Sequence, residues 1–259
     1  MIGTDFRSGA PIWIDLGSPD TDAATAFYEA VFGWRFVSAG PDAEEHRYGF
    51  FQKDGKTVGA LGLLTEEGAT SAWMTYFHSD DIQATARDVV ARAGTVRGEP
   101  FAGRRGWVAQ FTDPQGAEFA VLQPGHGLEK ASEDDTLGWV ELRSGVPETS
   151  IAFYSGLFGW RSEEMQTSGT TYRILSVKDG DQQEGAFGGV VQIQGDEEGP
   201  RWVLYFAVAD VDATVTAVRD NGGAVLVPAA DIAGVGRIAW LADRSQAVFA
   251  VLKPSPPQG

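Results

Sequence analysis

Ala26-Phe27-Tyr28-Glu29-Ala30-Val31-Phe32-Gly33-Trp34-Arg35 occurs twice in this chain, the second time as Ala152-Phe153-Tyr154-Ser155-Gly156-Leu157-Phe158-Gly159-Trp160-Arg161. Seven of the ten positions are identical without a gap. The copies lie 126 residues apart in a chain of 259. A repeat at half the chain length marks a duplicated domain; solenoid units are far shorter. Within each copy the spacing predicts the C-terminal half of a helix. Phe27, Val31 and Phe32 fall on one apolar stripe, and Gly33 stands where a helix end takes the left-handed conformation. The aromatic side chains of both copies are expected in the core.

Working outward, Pro11 to Gly17 alternates: Ile12, Ile14 and Leu16 point one way, Trp13, Asp15 and Gly17 the other, as in a strand with one face on a core. Ser18-Pro19-Asp20 breaks it, and Thr21 or Asp22 is suited to cap the helix that runs to Phe32. Three strands fit between residues 34 and 65. The pattern then recurs. Trp73 to Phe77 reads as a strand, Asp80 and Asp81 as caps of a helix from Ile82 to about Arg92. Strands follow near Thr95–Arg97, Gly106–Phe111 and Glu118–Leu122, the last two joined by the turn Asp113-Pro114-Gln115-Gly116. After a polar run, Trp139 restarts the first pattern, with a helix from about Glu148 to Phe158. Arg201 to Phe206 repeats Ala72 to Phe77, and Ala247 to Leu252 repeats Ala117 to Leu122. The chain is therefore read as α+β: four βαβββ units in two tandem pairs. One domain is expected over residues 1–127, a linker over 128–136 and a second domain over 134–259.

Composition sets outer bounds. With 43% hydrophobic and 22% charged residues the chain is globular. A net charge of −16 repels phosphate backbones and anionic lipid, so neither nucleic acid nor a membrane surface is an expected partner. There is no cysteine, hence no thiolate chemistry and no disulfide framework. No run approaches a membrane span, and a soluble cytoplasmic protein, monomer or homodimer, is expected. Neither nucleotide-binding glycine fingerprint stands between a strand and a helix, and no G-x-S-x-G elbow occurs.

The order of strand, F-Y-x-x-x-F-G-W helix, three strands, strand, D-D-I/V helix and D-P-x-G turn, given twice, resembles the vicinal oxygen chelate superfamily. That group includes glyoxalase I, extradiol dioxygenases and bleomycin- and fosfomycin-resistance proteins. The tandem form is most similar to two-domain actinobacterial-type members. The resemblance implies that each pair of βαβββ units forms a cupped mixed sheet whose concave wall holds a ligand or metal. It also implies first-strand ligand positions at Trp13 and Trp139, second-unit positions near Met74 and Val203, and closing-strand positions at Ala120 and Ala250. None of these is a ligand for a hard or borderline ion. The histidines are only His46, His78 and His126, and two of them read as loop residues. No metal and no cofactor is expected, which argues against lactoylglutathione lyase or extradiol dioxygenase chemistry.

Alternation then predicts the inner wall. Trp13 and Asp15, with Trp139 and Glu141, come from the first strands. Met74, Tyr76 and His78, with Val203 and Tyr205, come from the middle strands; Ala120 and Leu122, with Ala250 and Leu252, come from the closing strands. An aromatic wall with one acid per cup suits a small hydrophobic or aromatic molecule. Asp15 and Glu141, carboxylates placed mid-strand beside Trp, are the candidate acid–base residues. The favoured reading is a metal-independent binding protein of the glyoxalase and bleomycin-resistance type, for instance one that sequesters an antibiotic. A metal-independent isomerase, cyclase or hydroxylase-type enzyme of secondary metabolism using Asp15 or Glu141 is the alternative. A metal-dependent lyase or dioxygenase comes third.

Overall fold

The computed structural model of the protein describes residues 2–40, 47–65, 68–124, 126–167, 170–195 and 199–255; His46 lies outside them. Its first quarter is β1 (Pro11–Ser18), α1 (Thr21–Phe32), β2 (Arg35–Ser38), β3 (Gly49–Lys53) and β4 (Lys56–Leu63). The second is β5 (Ala72–His78), α2 (Ile82–Ala91), β6 (Thr95–Gly103), β7 (Gly106–Thr112) and β8 (Glu118–Pro124). The third is β9 (Thr136–Ser144), α3 (Pro147–Phe158), β10 (Arg161–Thr167), β11 (Thr170–Ser176) and β12 (Ala186–Gln192). The fourth is β13 (Arg201–Ala207), α4 (Val211–Asp220), β14 (Ala224–Ile232), β15 (Gly236–Ala242) and β16 (Val248–Pro254). These are the four expected βαβββ units.

The strands form two eight-stranded sheets, ordered β2-β3-β4-β1-β5-β8-β7-β6 and β10-β11-β12-β9-β13-β16-β15-β14. The second order is the first advanced by eight strands, as a duplication requires. Both sheets are mixed. The first and last strands of every unit run parallel (β1 with β4, β5 with β8, β9 with β12, β13 with β16), while the hairpins between are antiparallel.

Helix ends follow local chemistry. The cap of α1 is Asp20, whose carboxylate accepts from the Ala23 N–H at 2.9 Å. The expectation of Thr21 or Asp22 fails by one turn position, because Thr21 is already helical and Asp20 alone keeps the extended backbone a cap needs. Gly33 and Gly159 close α1 and α3 with φ of 68° and 71°, the left-handed geometry read from the repeat. The helix α3 begins at Pro147 and has no side-chain cap of its own. Instead Gln115, from the D-P-x-G turn, accepts from the Val146 N–H at 2.7 Å and donates to Ser150 Oγ at 2.6 Å.

The chain divides into two compact units that draw on both halves of the sequence. One comprises residues 1–13, 74–127 and 139–203; the other comprises 14–73, 128–138 and 204–259. In the first, the repeat residues Tyr154, Phe158 and Trp160 stack on one another and pack edge-on against Phe77, Phe119 and Trp202. Trp202 donates to the Tyr154 hydroxyl at 3.0 Å, Tyr154 meets the Asp113 carboxylate, and the Trp160 N–H donates to the Gly9 carbonyl at 2.9 Å. In the second unit the same chemistry recurs. Trp73 donates to Tyr28 at 3.0 Å, Tyr28 to Asp243 Oδ2 at 3.2 Å, and Trp34 to the Asp135 carbonyl at 2.8 Å. Phe206 and Phe249 complete that core. Burial raises both carboxylates, Asp113 and Asp243, above the usual range, against the pull of turn N–H groups and the tyrosine hydroxyls. The invariant-looking aromatics of the repeat are core residues, as expected, but each Tyr and Trp also satisfies its polar atom, as buried aromatics of these types must.

The stretch read as a linker is tied down within the second unit. Leu128 is buried, and Glu129 exchanges hydrogen bonds with the Thr57 backbone at 2.7 and 2.8 Å. Lys53 pairs with Asp135 at 2.7 Å. A polar composition suggested a solvated connector; the charges instead meet partners on the β3–β4 hairpin.

Candidate functional site

The strongest cluster of polar side chains among the sequence-predicted positions is built on β9, β11 and β12, within the first compact unit. Alternation sets Trp139, Glu141 and Arg143 on one face of β9. Glu141 lies opposite Gly189 of β12. Because Gly189 has no side chain, the Tyr172 ring of β11 lies over it: a Cβ there would come within 2.3 Å of the ring. From that position the Tyr172 hydroxyl accepts the Trp139 indole N–H at 2.8 Å and engages the Glu141 carboxylate. Arg143 Nη1 donates to Glu141 Oε1 at 3.2 Å. Glu141 is only 6% exposed, so its charge is held by these partners rather than by water. Burial, followed by the Glu141 charge, pushes the Tyr172 phenol well above its ordinary value, so it stays protonated and acts as donor to the carboxylate. Trp139 itself is half-buried, with its single N–H committed and its ring orientation thereby fixed.

The corresponding acid of the first half, Asp15, lies in the second unit. It stands opposite Ala60 on β4 and accepts from the Tyr48 hydroxyl of the segment leading into β3 at 3.2 Å. Both mid-strand acids therefore have a tyrosine partner, from the residue just before the third strand of the unit in one case and from within it in the other. Trp13, the counterpart of Trp139, differs: it is 3% exposed and the Arg105 guanidinium lies over its ring at 4.3 Å.

Among the remaining predicted residues, Tyr76 and His78 of β5 are in register with Ala120 and Leu122 of β8. Tyr205 is in register with Ala250, and Leu252 lies opposite Ala207. Trp240 of β15 faces Ala250 and donates to the Tyr205 hydroxyl at 3.2 Å. Met74 and Leu252 are half-buried, while Val203 is buried. A cavity of about 260 Å³ in the first unit is lined by Ile2, Arg7, Pro11, Val177, Glu184 and Phe187 among others, and none of the predicted residues borders it.

Sequence reading missed Tyr48, Tyr172, Arg105 and Trp240. The two tyrosines were discoverable. Each stands at the head of a short apolar run, Tyr48-Gly49-Phe50-Phe51 and Tyr172-Arg173-Ile174-Leu175, but they lie 124 residues apart, out of step with the 126-residue repeat.

The residues at the positions where the resemblance implies metal ligands do not fit a divalent ion. They are Trp13, Met74 and Ala120, and Trp139, Val203 and Ala250, none of which offers a nitrogen or oxygen ligand suited to one. Among the described residues no group of three or more His, Asp or Glu side chains stands ready to hold one elsewhere. No helix of the described residues is long and apolar enough to cross a membrane.

Known proteins agree with this architecture. The family model of the Glyoxalase/Bleomycin resistance protein/Dioxygenase superfamily matches twice, over residues 11–121 and 136–250. The protein named "Putative glyoxylase CFP32" of Mycobacterium tuberculosis is 34% identical over 262 residues, 98% of each chain. "Anthracycline biosynthesis protein DnrV" of Streptomyces peucetius is 33% identical over 271 residues, 96% of this chain and 95% of that one. The crystal structure of 2,2',3-trihydroxybiphenyl 1,2-dioxygenase from Sphingomonas wittichii strain RW1 superposes with a TM-score of 0.64 at 13% identity, covering 96% of this chain and 90% of that one; at such identity the likeness concerns the fold alone. With two matched copies spanning most of its length, the chain belongs to the glyoxalase/bleomycin resistance protein/dioxygenase superfamily.

Proposed function

We propose that the protein binds a small, flat, largely hydrophobic aromatic compound of secondary metabolism, without a metal ion, against the Trp139 ring. The observation that carries this reading is the Trp139–Tyr172–Glu141 chain. An aromatic ring fixed through its own N–H and only partly buried is a stacking platform, worth about 0.5–1.5 kcal/mol beyond the area it buries. The adjoining phenol and carboxylate supply the few convergent polar groups that orient a ligand in an otherwise apolar site. Trp13, with Arg105 across its face, is the less accessible of the two tryptophans. The relationship to a protein named for anthracycline biosynthesis supports a polycyclic aromatic ligand, and bleomycin-resistance members of the superfamily support sequestration.

A second reading, conversion of the bound compound, is favoured by one feature. The Glu141 carboxylate, held beside the protonated Tyr172 phenol, could take a proton from a bound compound and pass it back at another position, with no net change in protonation. The test is a titration of Trp fluorescence with 2-hydroxyanthraquinone in the presence of a chelator, followed by mass analysis of the recovered compound. Saturable quenching with unchanged compound supports binding alone. A new product that Glu141→Gln abolishes supports the enzyme. No saturable quenching overturns both.

A further inference from the structure

Arg143 shares the face of β9 that carries Trp139 and Glu141. Its side chain reaches its neighbour on that face, with Nη1 donating to Glu141 Oε1 at 3.2 Å. Glu141 engages the Tyr172 hydroxyl, which in turn accepts the Trp139 N–H at 2.8 Å. The guanidinium and the indole therefore stand at the two ends of one chain of polar contacts, and the N–H edge of the indole points along it. Trp139 has a single N–H and Tyr172 a single O–H, and both are committed within that chain. A guanidinium carries five N–H donors in a planar fork, so it can hold Glu141 and meet a further acceptor at the same time. The ion pair is largely withdrawn from water, with side-chain exposures of 15% for Arg143 and 8% for Glu141, and its charges cancel. A ligand carboxylate would set a second anion beside Glu141, and an ammonium would compete with Arg143 for it; either leaves a desolvated charge uncompensated. A neutral acceptor upsets neither. In the first half the position 126 residues before Arg143 is Gly17, so the duplication does not repeat this donor.

We infer that Arg143 donates a hydrogen bond to a carbonyl oxygen conjugated to the ring system of the bound compound, and that the site thereby selects quinones and aryl ketones over aromatic hydrocarbons. A conjugated carbonyl lies in the plane of its ring. A ring stacked on Trp139 is parallel to the indole, so a carbonyl at the edge above the indole N–H points toward the chain that ends in Arg143. This rests on the reading that an aromatic compound stacks on Trp139, and it adds the functional group recognised. The experiment titrates Trp fluorescence with 2-hydroxyanthraquinone and with 2-hydroxyanthracene, which shares the ring skeleton and the hydroxyl but lacks both carbonyls, at a mildly acidic pH where both hydroxyls keep their protons. Wild-type protein is expected to bind the quinone about 10- to 100-fold more tightly, the range for a hydrogen bond from a charged donor. Arg143→Met should lose that preference. A readout that needs no variant to fold is the infrared spectrum of the quinone bound to wild-type protein: its two carbonyl bands should lie farther apart than in water, one of them shifted to lower frequency. Equal wild-type affinities, a preference that survives Arg143→Met in folded protein, or carbonyl bands no farther apart than in water overturn the inference while leaving ligand binding intact. Failure of both compounds to bind wild-type protein overturns the ligand reading and the inference with it.

Discussion

Replacing Tyr28 by Phe removes one oxygen atom from the core and keeps the ring stack on Trp34 intact. Two hydrogen bonds go with that atom. The Trp73 N–H, buried and now without an acceptor, costs about 1–3 kcal/mol. The Asp243 carboxylate loses the donor at Oδ2, a charge-assisted bond worth about 1.5–3 kcal/mol, while Oδ1 keeps the Ser245 and Ala247 N–H groups at 2.8 and 2.9 Å. The expected loss is about 4 kcal/mol, or roughly 8–16 °C in Tm for a chain of this size. The penalty also carries a pH signature. Burial raises the folded-state pKa of Asp243, so the folded chain holds the proton more tightly than the unfolded one, and this carboxyl lowers stability as pH rises from its unfolded value through its raised folded value. Tyr28 opposes that shift by stabilising the ionised form. The Tyr28→Phe penalty should therefore be largest at neutral pH, where Asp243 is ionised, and shrink once it is protonated. Urea denaturation of both proteins between pH 4 and 8 measures this. A loss below 1 kcal/mol, or one constant across that range, would refute the hydrogen-bond chain as drawn.

Two further substitutions probe the backbone. Gly33→Ala, at φ 68° with only the tip of Lys53 nearby, should cost about 1–2 kcal/mol through left-handed strain alone, read as a lower urea midpoint with an unchanged slope. Gly189→Ala should push the Tyr172 ring from its place, free the Trp139 N–H and weaken aromatic ligand binding, while the far-ultraviolet spectrum stays native. Unaltered binding in Gly189→Ala would separate Tyr172 from the site.

The fold was legible because the duplication displays every landmark twice. Gly33 and Gly159, the alternation of β1 and β9, and the caps Asp81 and Asp210 are local signals and were read, or readable, locally. What escaped is non-local. Tyr28 meets Asp243 across 215 positions, and Trp160 meets Gly9 across 151. No periodicity reports such pairs, so Asp113 reads only as a turn residue, Asp243 does not stand out, and residues 128–136 read only as a connector. The site was half legible. Alternation placed Trp139, Glu141 and Arg143 on one face, but Tyr172 reaches Glu141 only because Gly189 leaves room for its ring. That gap depends on strand register, which the sequence does not state.

The most direct test of the account is the affinity of 2-hydroxyanthraquinone for wild-type, Trp13→Ala and Trp139→Ala protein, measured calorimetrically in chelator. Metal-free stacking on Trp139 predicts a wild-type affinity indifferent to the chelator, a loss of about tenfold in Trp139→Ala and little change in Trp13→Ala. Binding that disappears with the chelator, or that survives Trp139→Ala undiminished in folded protein, would contradict it.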